Sequence, residues 1–183
     1  MKDKDAILYA QFLKGDELAL EELIRIYSDN LVRFAYLYVK DSYLAEDVAE
    51  DTFVALFIKR KKFTSRAKFK TYLYKIAKNK CIDVLRKRVD TVPLYDVENV
   101  LKSASVEENL ARRERDKKLY RCVHALPEQY KDVIYLAYLD GFDISEICQI
   151  LGKNKKQVYN LLSRAKLSLK EKLIQQGVSY EDV

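Results

Sequence analysis

The 183-residue sequence is poor in the residues that interrupt helices, with only four Gly and two Pro. It also has a single histidine, three cysteines that form no C-x-x-C pair, and no tryptophan. One histidine leaves little material for a Ser-His-Asp or Cys-His catalytic arrangement. The wide spacing of the cysteines argues against a disulfide framework and against a structural zinc site. The apolar surroundings of Cys81, Cys122 and Cys148 instead predict buried thiols in a reducing cytoplasm.

No apolar run approaches the roughly 18 residues that a membrane-spanning helix needs, and the start, Met1–Asp5, does not resemble a signal peptide. With 49% apolar and 34% charged residues, the chain can bury a core and lacks the composition of a disordered protein. Few helix breakers predict an all-α fold in which short turns join the helices. We therefore expect a cytoplasmic protein with no direct membrane insertion and no cofactor.

The net charge of +6 is concentrated in one part of the chain. Residues 1–58 carry a net charge of −6, whereas residues 59–88 hold 13 Lys and Arg against Asp83 alone. The two remaining parts, 89–127 and 128–183, are neutral. A basic excess confined to one segment predicts a surface that binds a polyanion. A solvated basic face and a helix on a membrane surface are the alternatives.

Within the basic segment, apolar residues recur every three or four positions and predict a helix over residues 66–88. The apolar face comprises Phe69, Leu73, Ile76, Ala77, Cys81, Val84 and Leu85. Polar residues, Thr71 among them, fall mainly on the opposite side, and Tyr72 and Tyr74 are interleaved with the charges. This pattern is typical of single-stranded nucleic acid binding, where cations hold phosphates and rings stack on unpaired bases.

Two helices near the C-terminus are marked by capping residues. Asp143 and Glu146 predict a capping box, Gly152 a break, and Asn154 with Gln157 a second capping box. Two short helices across a tight glycine turn predict a helix-turn-helix, whose second helix enters the major groove. The side chains expected to face the groove are Lys155, Lys156, Gln157, Tyr159, Asn160, Ser163 and Arg164. A helical hairpin with no role in DNA binding is the alternative.

The remaining helix-breaking and capping residues predict the organisation of the chain. A helix ends near Lys14, Asp16 caps the next one, and a third runs from Ser42 to Arg60. Another begins at Leu126-Pro127-Glu128 and ends at Asp140-Gly141. Residues 89–105 show no period and are interpreted as a flexible linker. We therefore predict two small helical domains, 1–88 and 106–175, the second containing the helix-turn-helix, and a tail over 176–183.

Three stretches, in this order and spacing, resemble the extracytoplasmic-function (ECF) sigma factors of bacterial RNA polymerase. Tyr43–Phe53 is similar to the helix of that family that binds core polymerase. Phe69–Arg86 is similar to its helix for promoter melting and minus-ten recognition, and Ala125–Ala165 to its minus-thirty-five domain. The resemblance covers nearly the whole chain. It implies a non-enzymatic sigma factor that binds core RNA polymerase and directs promoter-specific transcription initiation.

The resemblance also implies partners and site residues. The partners are core RNA polymerase, promoter DNA as duplex and as melted single strand, and a cognate anti-sigma factor. The residues expected to contact the melted element are Lys62, Phe63, Arg66, Lys70, Tyr72, Lys75, Asn79, Lys80 and Arg86. Those expected to bind core polymerase are Glu46, Asp47, Glu50, Asp51, Phe53 and Phe57. A solvated helix face would explain the four acids equally well.

The sequence departs from the family pattern in two places. Tyr72 stands where the family usually has Trp. Residues 157–162 read Gln-Val-Tyr-Asn-Leu-Leu where the family usually has Thr-Val-Lys-Ser-Arg-Leu, so Tyr159 and Leu161 occupy commonly basic positions. Fewer phosphate contacts are expected there.

Two other classes of protein remain as alternatives. An autonomous helix-turn-helix regulator would dimerise and bind duplex DNA tightly by itself. A nuclease or recombinase would need clustered carboxylates to hold metal ions, yet Asp83 is the sole acid of the basic segment.

Overall fold

The computed structural model describes residues 3–59, 68–87 and 119–176, and within these ranges it contains helices and no strand. The elements are α1 (Lys4–Leu13), α2 (Glu17–Val39), α3 (Ser42–Lys59), α4 (Phe69–Lys87), α5 (Glu128–Ile134), a π-helix (Tyr135–Leu139), α6 (Ile144–Leu151) and α7 (Lys155–Gln175). Residues 119–124 are also helical. The prediction of an all-α fold is confirmed. The predicted linker, the predicted helix over 106–118 and nearly all of the predicted tail lie outside the described residues.

The chain divides into two compact units. The first contains α1 to α4, with α2 packed against the other three helices. Leu23, Tyr27, Leu31 and Phe34 are buried on α2, at the three- and four-residue spacing that buries one face of a helix. The Phe34 ring centroid lies 5.0 Å from that of Tyr74 on α4 and 5.3 Å from that of Tyr38. The first of these contacts packs α4 against α2, and the second lies within α2.

The break between α1 and α2 falls where the sequence predicts it. Helix α1 ends at Leu13, and Gly15 has a φ of +105°, a region that side chains with a Cβ rarely adopt. Asp16 is the N-cap of α2 as predicted, but its side chain makes no capping hydrogen bond.

Helix α4 departs from its predicted pattern at two residues. Phe69 and Leu73 are fully buried as expected, but the helix begins at Phe69 and not at the predicted Arg66. The prediction that Thr71 faces away from the core is wrong, because its side chain is only 1% exposed. Tyr74 is also fully buried, so its ring cannot stack on a base, contrary to the interleaved pattern predicted for it.

The second unit contains α5, most of α6 and α7. Helix α5 begins at Glu128, within the predicted start, but Pro127 is its N-cap residue and not part of the first turn as expected. The predicted helix continues to Leu139, but as the π-helix, and Gly141 follows with a φ of +67°. Helix α7 has 21 residues, so the prediction that the second helix of the motif is short is wrong. It is anchored in this unit by the buried side chains of Val158, Leu162, Ala165 and Leu173.

Two of the three free cysteines are buried, Cys81 and Cys122, whereas Cys148 is half-buried, so the prediction of three buried thiols is wrong for Cys148. Desolvation raises the pKa of the Cys122 thiol, although Lys172 opposes the shift. In the described ranges, no group of three or more His, Cys, Asp or Glu residues is placed to hold a metal ion. None of the described helices is long and apolar enough to cross a membrane.

Candidate functional site

The turn between α6 and α7 is fixed by two capping boxes. The Asp143 carboxylate accepts a hydrogen bond from the Glu146 backbone N at 2.9 Å, and Glu146 accepts one from the Asp143 N at 2.9 Å. Asn154 and Gln157 form the same reciprocal pair, also at 2.9 Å. Gly152 ends α6 with a φ of +66°. Both boxes and the glycine turn confirm the prediction, and together they fix how α7 leaves the turn.

The start of α7 presents a polar surface. Val158, Leu162 and Ala165 are buried and occupy the inner face of the helix. The outer face carries all seven of the predicted groove-facing side chains, each exposed: Lys155, Lys156, Gln157, Tyr159, Asn160, Ser163 and Arg164. This is the arrangement of a recognition helix, in which the N-terminal turns present polar groups while the opposite face anchors the helix.

One outward face of α4 combines cations, an amide and an aromatic ring. Tyr72, Lys75, Asn79 and Arg86 are three, four and seven residues apart and therefore project to one side. The last three are exposed, whereas Tyr72 is half-buried with its ring centroid 6.4 Å from that of Tyr9. Desolvation raises the pKa of Tyr72. The structure therefore brings together four of the residues predicted to contact the melted element.

The other predicted α4 contacts lie elsewhere. Lys70 Nζ is 5.7 Å from the centroid of the Tyr74 ring, on the side of α4 that faces the core. Lys80 Nζ pairs with the Asp51 carboxylate of α3 at 2.9 Å. The structure therefore does not place Lys70 or Lys80 on the outward face. Three further predicted contacts, Lys62, Phe63 and Arg66, lie outside the described residues.

Lys68 belongs to the outward face of α4 but is absent from the predicted site residues. It is exposed and lies four residues before Tyr72, directly ahead of the first turn. The 68–72–75–79 spacing in the sequence carries this signal.

The residues predicted to contact polymerase lie on two faces of α3. The four acids are exposed, and so is Phe57. Phe53 is only 6% exposed and packs in the first unit. The structure does not present Phe53 at the surface, because it lies on the same inner face as Ala49 and Leu56, both buried; its contact with core polymerase stays a prediction.

Sequence reasoning missed exposed apolar side chains on the outer face of α3. Tyr43 is 79% exposed and Ile58 is 72% exposed, and Val54 is exposed as well. With Phe57 they lie at helical spacing among the acids. A group of large, exposed apolar side chains on one helix face is typical of a protein-binding surface and not of a face that only contacts solvent. The 43–47–50–54–58 spacing of apolar and acidic residues was the available signal.

Two family models match the chain. The model described as Sigma-70 region 2 matches residues 23–91, and the model described as Sigma-70, region 4 matches residues 116–169. The first range contains α3 and α4 with their outward faces, and the second contains α5, α6 and most of α7.

Curated relatives share most of their length with this chain. The ECF RNA polymerase sigma factor SigW of Bacillus subtilis is 27% identical over 175 residues, which cover 89% of this chain and 93% of SigW. The ECF RNA polymerase sigma factor SigM of Mycobacterium tuberculosis is 29% identical over 168 residues, which cover 90% of this chain and 82% of SigM.

Two solved structures share the fold. CnrH, solved in complex with the cytosolic domain of CnrY, superposes with a TM-score of 0.69 at 24% identity, covering 93% of this chain and 97% of CnrH. The sigma factor RpoE from Bartonella quintana, solved with the anti-sigma factor NepR, gives a TM-score of 0.62 at 20% identity, covering 84% of this chain and 95% of RpoE.

Proposed function

This chain belongs to the ECF sigma factors of the sigma-70 family, and on that premise we propose how its surfaces divide the work of transcription initiation. The first unit binds core RNA polymerase through α3 and the melted non-template strand through α4. The second unit reads the upstream promoter element as duplex DNA through α7. The observation that carries the proposal is the start of α7. Seven side chains with polar groups are exposed there, and capping boxes fix the N-termini of both α6 and α7.

The outer face of α3 has the composition of a docking surface for polymerase. Tyr43, Phe57 and Ile58 are exposed apolar groups whose burial against a partner supplies affinity. The acids around them orient the encounter with a basic surface and raise the association rate. Asp51 already pairs with Lys80, so we assign the larger electrostatic role to the other three acids: Glu46, Asp47 and Glu50.

The outward face of α4 suits a single strand with unpaired bases. Lys75 and Arg86 hold phosphates, and the exposed part of the Tyr72 ring stacks on a base. Extruding a base costs a few kcal/mol, and stacking offsets that cost. Lys62, Phe63 and Arg66 precede this helix in sequence and are proposed to extend the same contact.

The start of α7 divides its contacts by side-chain chemistry. Lys155 and Lys156 lie in the first turn and suit phosphates, which orient the helix without reading sequence. Asn160 and Arg164 lie one turn apart and carry the donors and acceptors that pair with base edges. Tyr159 offers an apolar ring at a commonly basic position, so we expect contact with a thymine methyl group or a sugar in place of a phosphate contact.

The partners and location follow from the same premise. RpoE of Bartonella quintana was solved with an anti-sigma factor, and we propose that a cognate anti-sigma factor also covers surfaces of this chain. The protein would act in the cytoplasm, without catalysis and without a cofactor, as domains 1–88 and 106–175 joined by the 89–105 linker.

In vitro transcription with purified core polymerase tests this function. We expect the added protein to bind core polymerase and to redirect initiation to a subset of promoters. A protein that neither binds core polymerase nor redirects initiation would contradict the proposal. Tight binding of duplex DNA by a dimer without polymerase would instead identify an autonomous regulator.

Exchange of Lys155, Lys156 and Arg164 for Ala tests the role of α7. We expect the affinity of the holoenzyme for duplex upstream DNA to fall at least tenfold, because one bidentate base contact alone contributes about 1–3 kcal/mol. Binding of core polymerase should not change. Lys170→Ala serves as the control, since it removes an exposed charge from the C-terminal half of the same helix. Equal loss of both activities would refute the division of labour.

A further inference from the structure

One carboxylate caps two helices of the first unit. Asp3 is the N-cap of α1, and its Oδ1 accepts hydrogen bonds from the backbone N of Asp5 at 3.2 Å and of Ala6 at 3.4 Å. Its other oxygen, Oδ2, accepts a hydrogen bond from the backbone N of Phe69 at 2.8 Å. Phe69 is the first residue of α4, 66 positions along the chain. The two oxygens of Asp3 thus serve the N-termini of two different helices.

The side chain at the N-cap position of α4 offers no acceptor to the first turn of this helix. The carbonyl oxygen of Lys68 accepts the first bond of the helix, from the Tyr72 backbone N at 3.2 Å, which makes Lys68 the N-cap residue. A lysine side chain carries donors and no acceptor, so the Lys68 side chain cannot accept hydrogen bonds from the backbone N–H groups of the first turn. Asp3 supplies the acceptor instead, and its negative charge suits the positive end of the helix dipole.

Helix α1 supports the same turn with its aromatic side chain. Tyr9 is 1% exposed, and its ring centroid lies 5.1 Å from that of Phe69 and 6.4 Å from that of Tyr72. The Tyr27 hydroxyl of α2 donates a hydrogen bond to the Asp5 carboxylate and ties the start of α1 to the core. The first turn of α4, which carries Tyr72, therefore rests on α1 at both its polar end and its apolar side.

We propose that Asp3 is a positioning residue for the melted-strand site. By capping α1 and α4 together, it holds the first turn of α4 in register and so fixes Tyr72 and the neighbouring Lys75 for the strand. The inference rests on the strand-binding function proposed for α4. Loss of the carboxylate removes the hydrogen bond to the Phe69 backbone N and weakens this turn. Only the folded fraction of the turn binds DNA, so the apparent affinity falls.

Two substitutions at Asp3 measure this effect in the reconstituted holoenzyme. The probe is a fluorescein-labelled single strand with the non-template sequence of a promoter from which the holoenzyme initiates, and the readout is fluorescence anisotropy. Asp3→Ala removes both caps and should weaken strand binding by up to about fivefold, the limit set by the roughly 1 kcal/mol of a lost N-cap. Asp3→Asn keeps one acceptor oxygen and should weaken it less. Binding of core polymerase and of duplex upstream DNA should stay unchanged.

Asp16→Ala is the matched control. Asp16 is also an N-cap aspartate in the first unit, but its side chain makes no capping hydrogen bond. Its replacement should leave strand binding within twofold of the unsubstituted protein.

Lys68→Ser provides a rescue that a merely structural role would not show. Serine at the N-cap supplies α4 with a local acceptor. In that background Asp3→Ala should weaken strand binding less than twofold, although Lys68→Ser itself removes one cation. The comparison is a double-mutant cycle between two residues that cap the same turn.

Three results would overturn the inference. If the unsubstituted holoenzyme binds the strand and Asp3→Ala binds it equally well, the positioning role fails while the proposed function stands. If Asp3→Ala weakens core binding as much as strand binding, and Lys68→Ser restores neither, Asp3 stabilises the whole unit instead. If the unsubstituted holoenzyme does not bind the strand, the proposed function fails, and the inference with it.

Discussion

Tyr9 links burial in the first unit to a measurable dependence on pH. Desolvation, and secondarily the nearby Tyr72, raises the pKa of Tyr9 from 10.0 to about 12. Below pH 10 the phenol is protonated in both the folded and the unfolded chain, so its ionisation does not make the free energy of unfolding depend on pH. Between pH 10 and pH 12 the unfolded chain loses the proton first. The stability contributed by the neutral phenol is therefore lost over that window.

Urea unfolding at pH 9 and at pH 11 checks this prediction. We expect the free energy of unfolding of the unsubstituted protein to fall by about 1–2 kcal/mol between the two values, since one pKa unit corresponds to about 1.4 kcal/mol. Tyr9→Phe removes the titrating group and should lose most of this fall; the raised pKa of Tyr72 accounts for a remainder. An unchanged fall in Tyr9→Phe would show that another group is responsible.

The same aromatic residues show where sequence reasoning fails for single side chains. Tyr72 and Tyr74 lie two residues apart in the same basic segment of the sequence, yet only Tyr72 reaches the outward face of α4. Phe53 and Phe57 likewise separate onto opposite faces of α3. Periodicity predicts that a helix has an inner face, but which flanking residues join that face depends on where α2 packs, and that is a tertiary property.

Among the helical elements, the α6–α7 turn is the one that the sequence predicts most completely. Each capping partner lies three residues from the other, as in Asp143 with Glu146, so a local pattern contains the whole interaction. The contact between Asp3 and α4 spans 66 residues and leaves no local signal. The π-helix Tyr135–Leu139 also went unpredicted, because an α-helical period describes its residues equally well.

Replacement of the α7 N-cap tests how much that turn contributes. We expect Asn154→Ala to lower the free energy of unfolding by about 1 kcal/mol, because the backbone N of Gln157 loses its acceptor. Asn154→Ser retains an acceptor and should lie close to the unsubstituted protein. Thermal unfolding followed by circular dichroism measures both.

Asn160→Ala is the matched control for this experiment. Asn160 is exposed on the same helix but is not a cap, so its replacement should leave the unfolding temperature unchanged or slightly raised. Upstream DNA binding should nevertheless weaken. A loss of stability in Asn160→Ala comparable with that in Asn154→Ala would contradict the assignment of the cap.

For the whole molecule, the proposed single-strand contact and the proposed duplex contact lie in different units with different charge. We therefore expect salt to affect the two DNA affinities independently. Lys75 lies in the first unit within the strongly basic segment, and Arg164 lies in the second unit, where residues 128–183 are neutral. Each cation that neutralises a phosphate contributes about 0.7 to the slope of log affinity against log salt for a single strand, and about 0.9 for a duplex.

Salt titrations of holoenzyme binding check this separation. Lys75→Ala should reduce the single-strand slope by about 0.7 and leave the duplex slope unchanged. Arg164→Ala should reduce the affinity for duplex DNA and leave the single-strand slope unchanged. The double variant should show the sum of both effects, since sites that share no interaction partner contribute additively. A fall of both slopes in Lys75→Ala, or a fall of the single-strand slope in Arg164→Ala, would contradict two independent contacts.

The exposed start of α7 also has a consequence for how such proteins diverge after gene duplication. Gln157 is the one groove-facing residue that takes part in a capping box; the other six are exposed and lie apart from both the caps and the buried stripe. Substitutions at such surface positions usually change stability by less than about 0.5 kcal/mol. Paralogues can therefore acquire new promoter preferences by substitutions at these six positions without losing the stability of the fold.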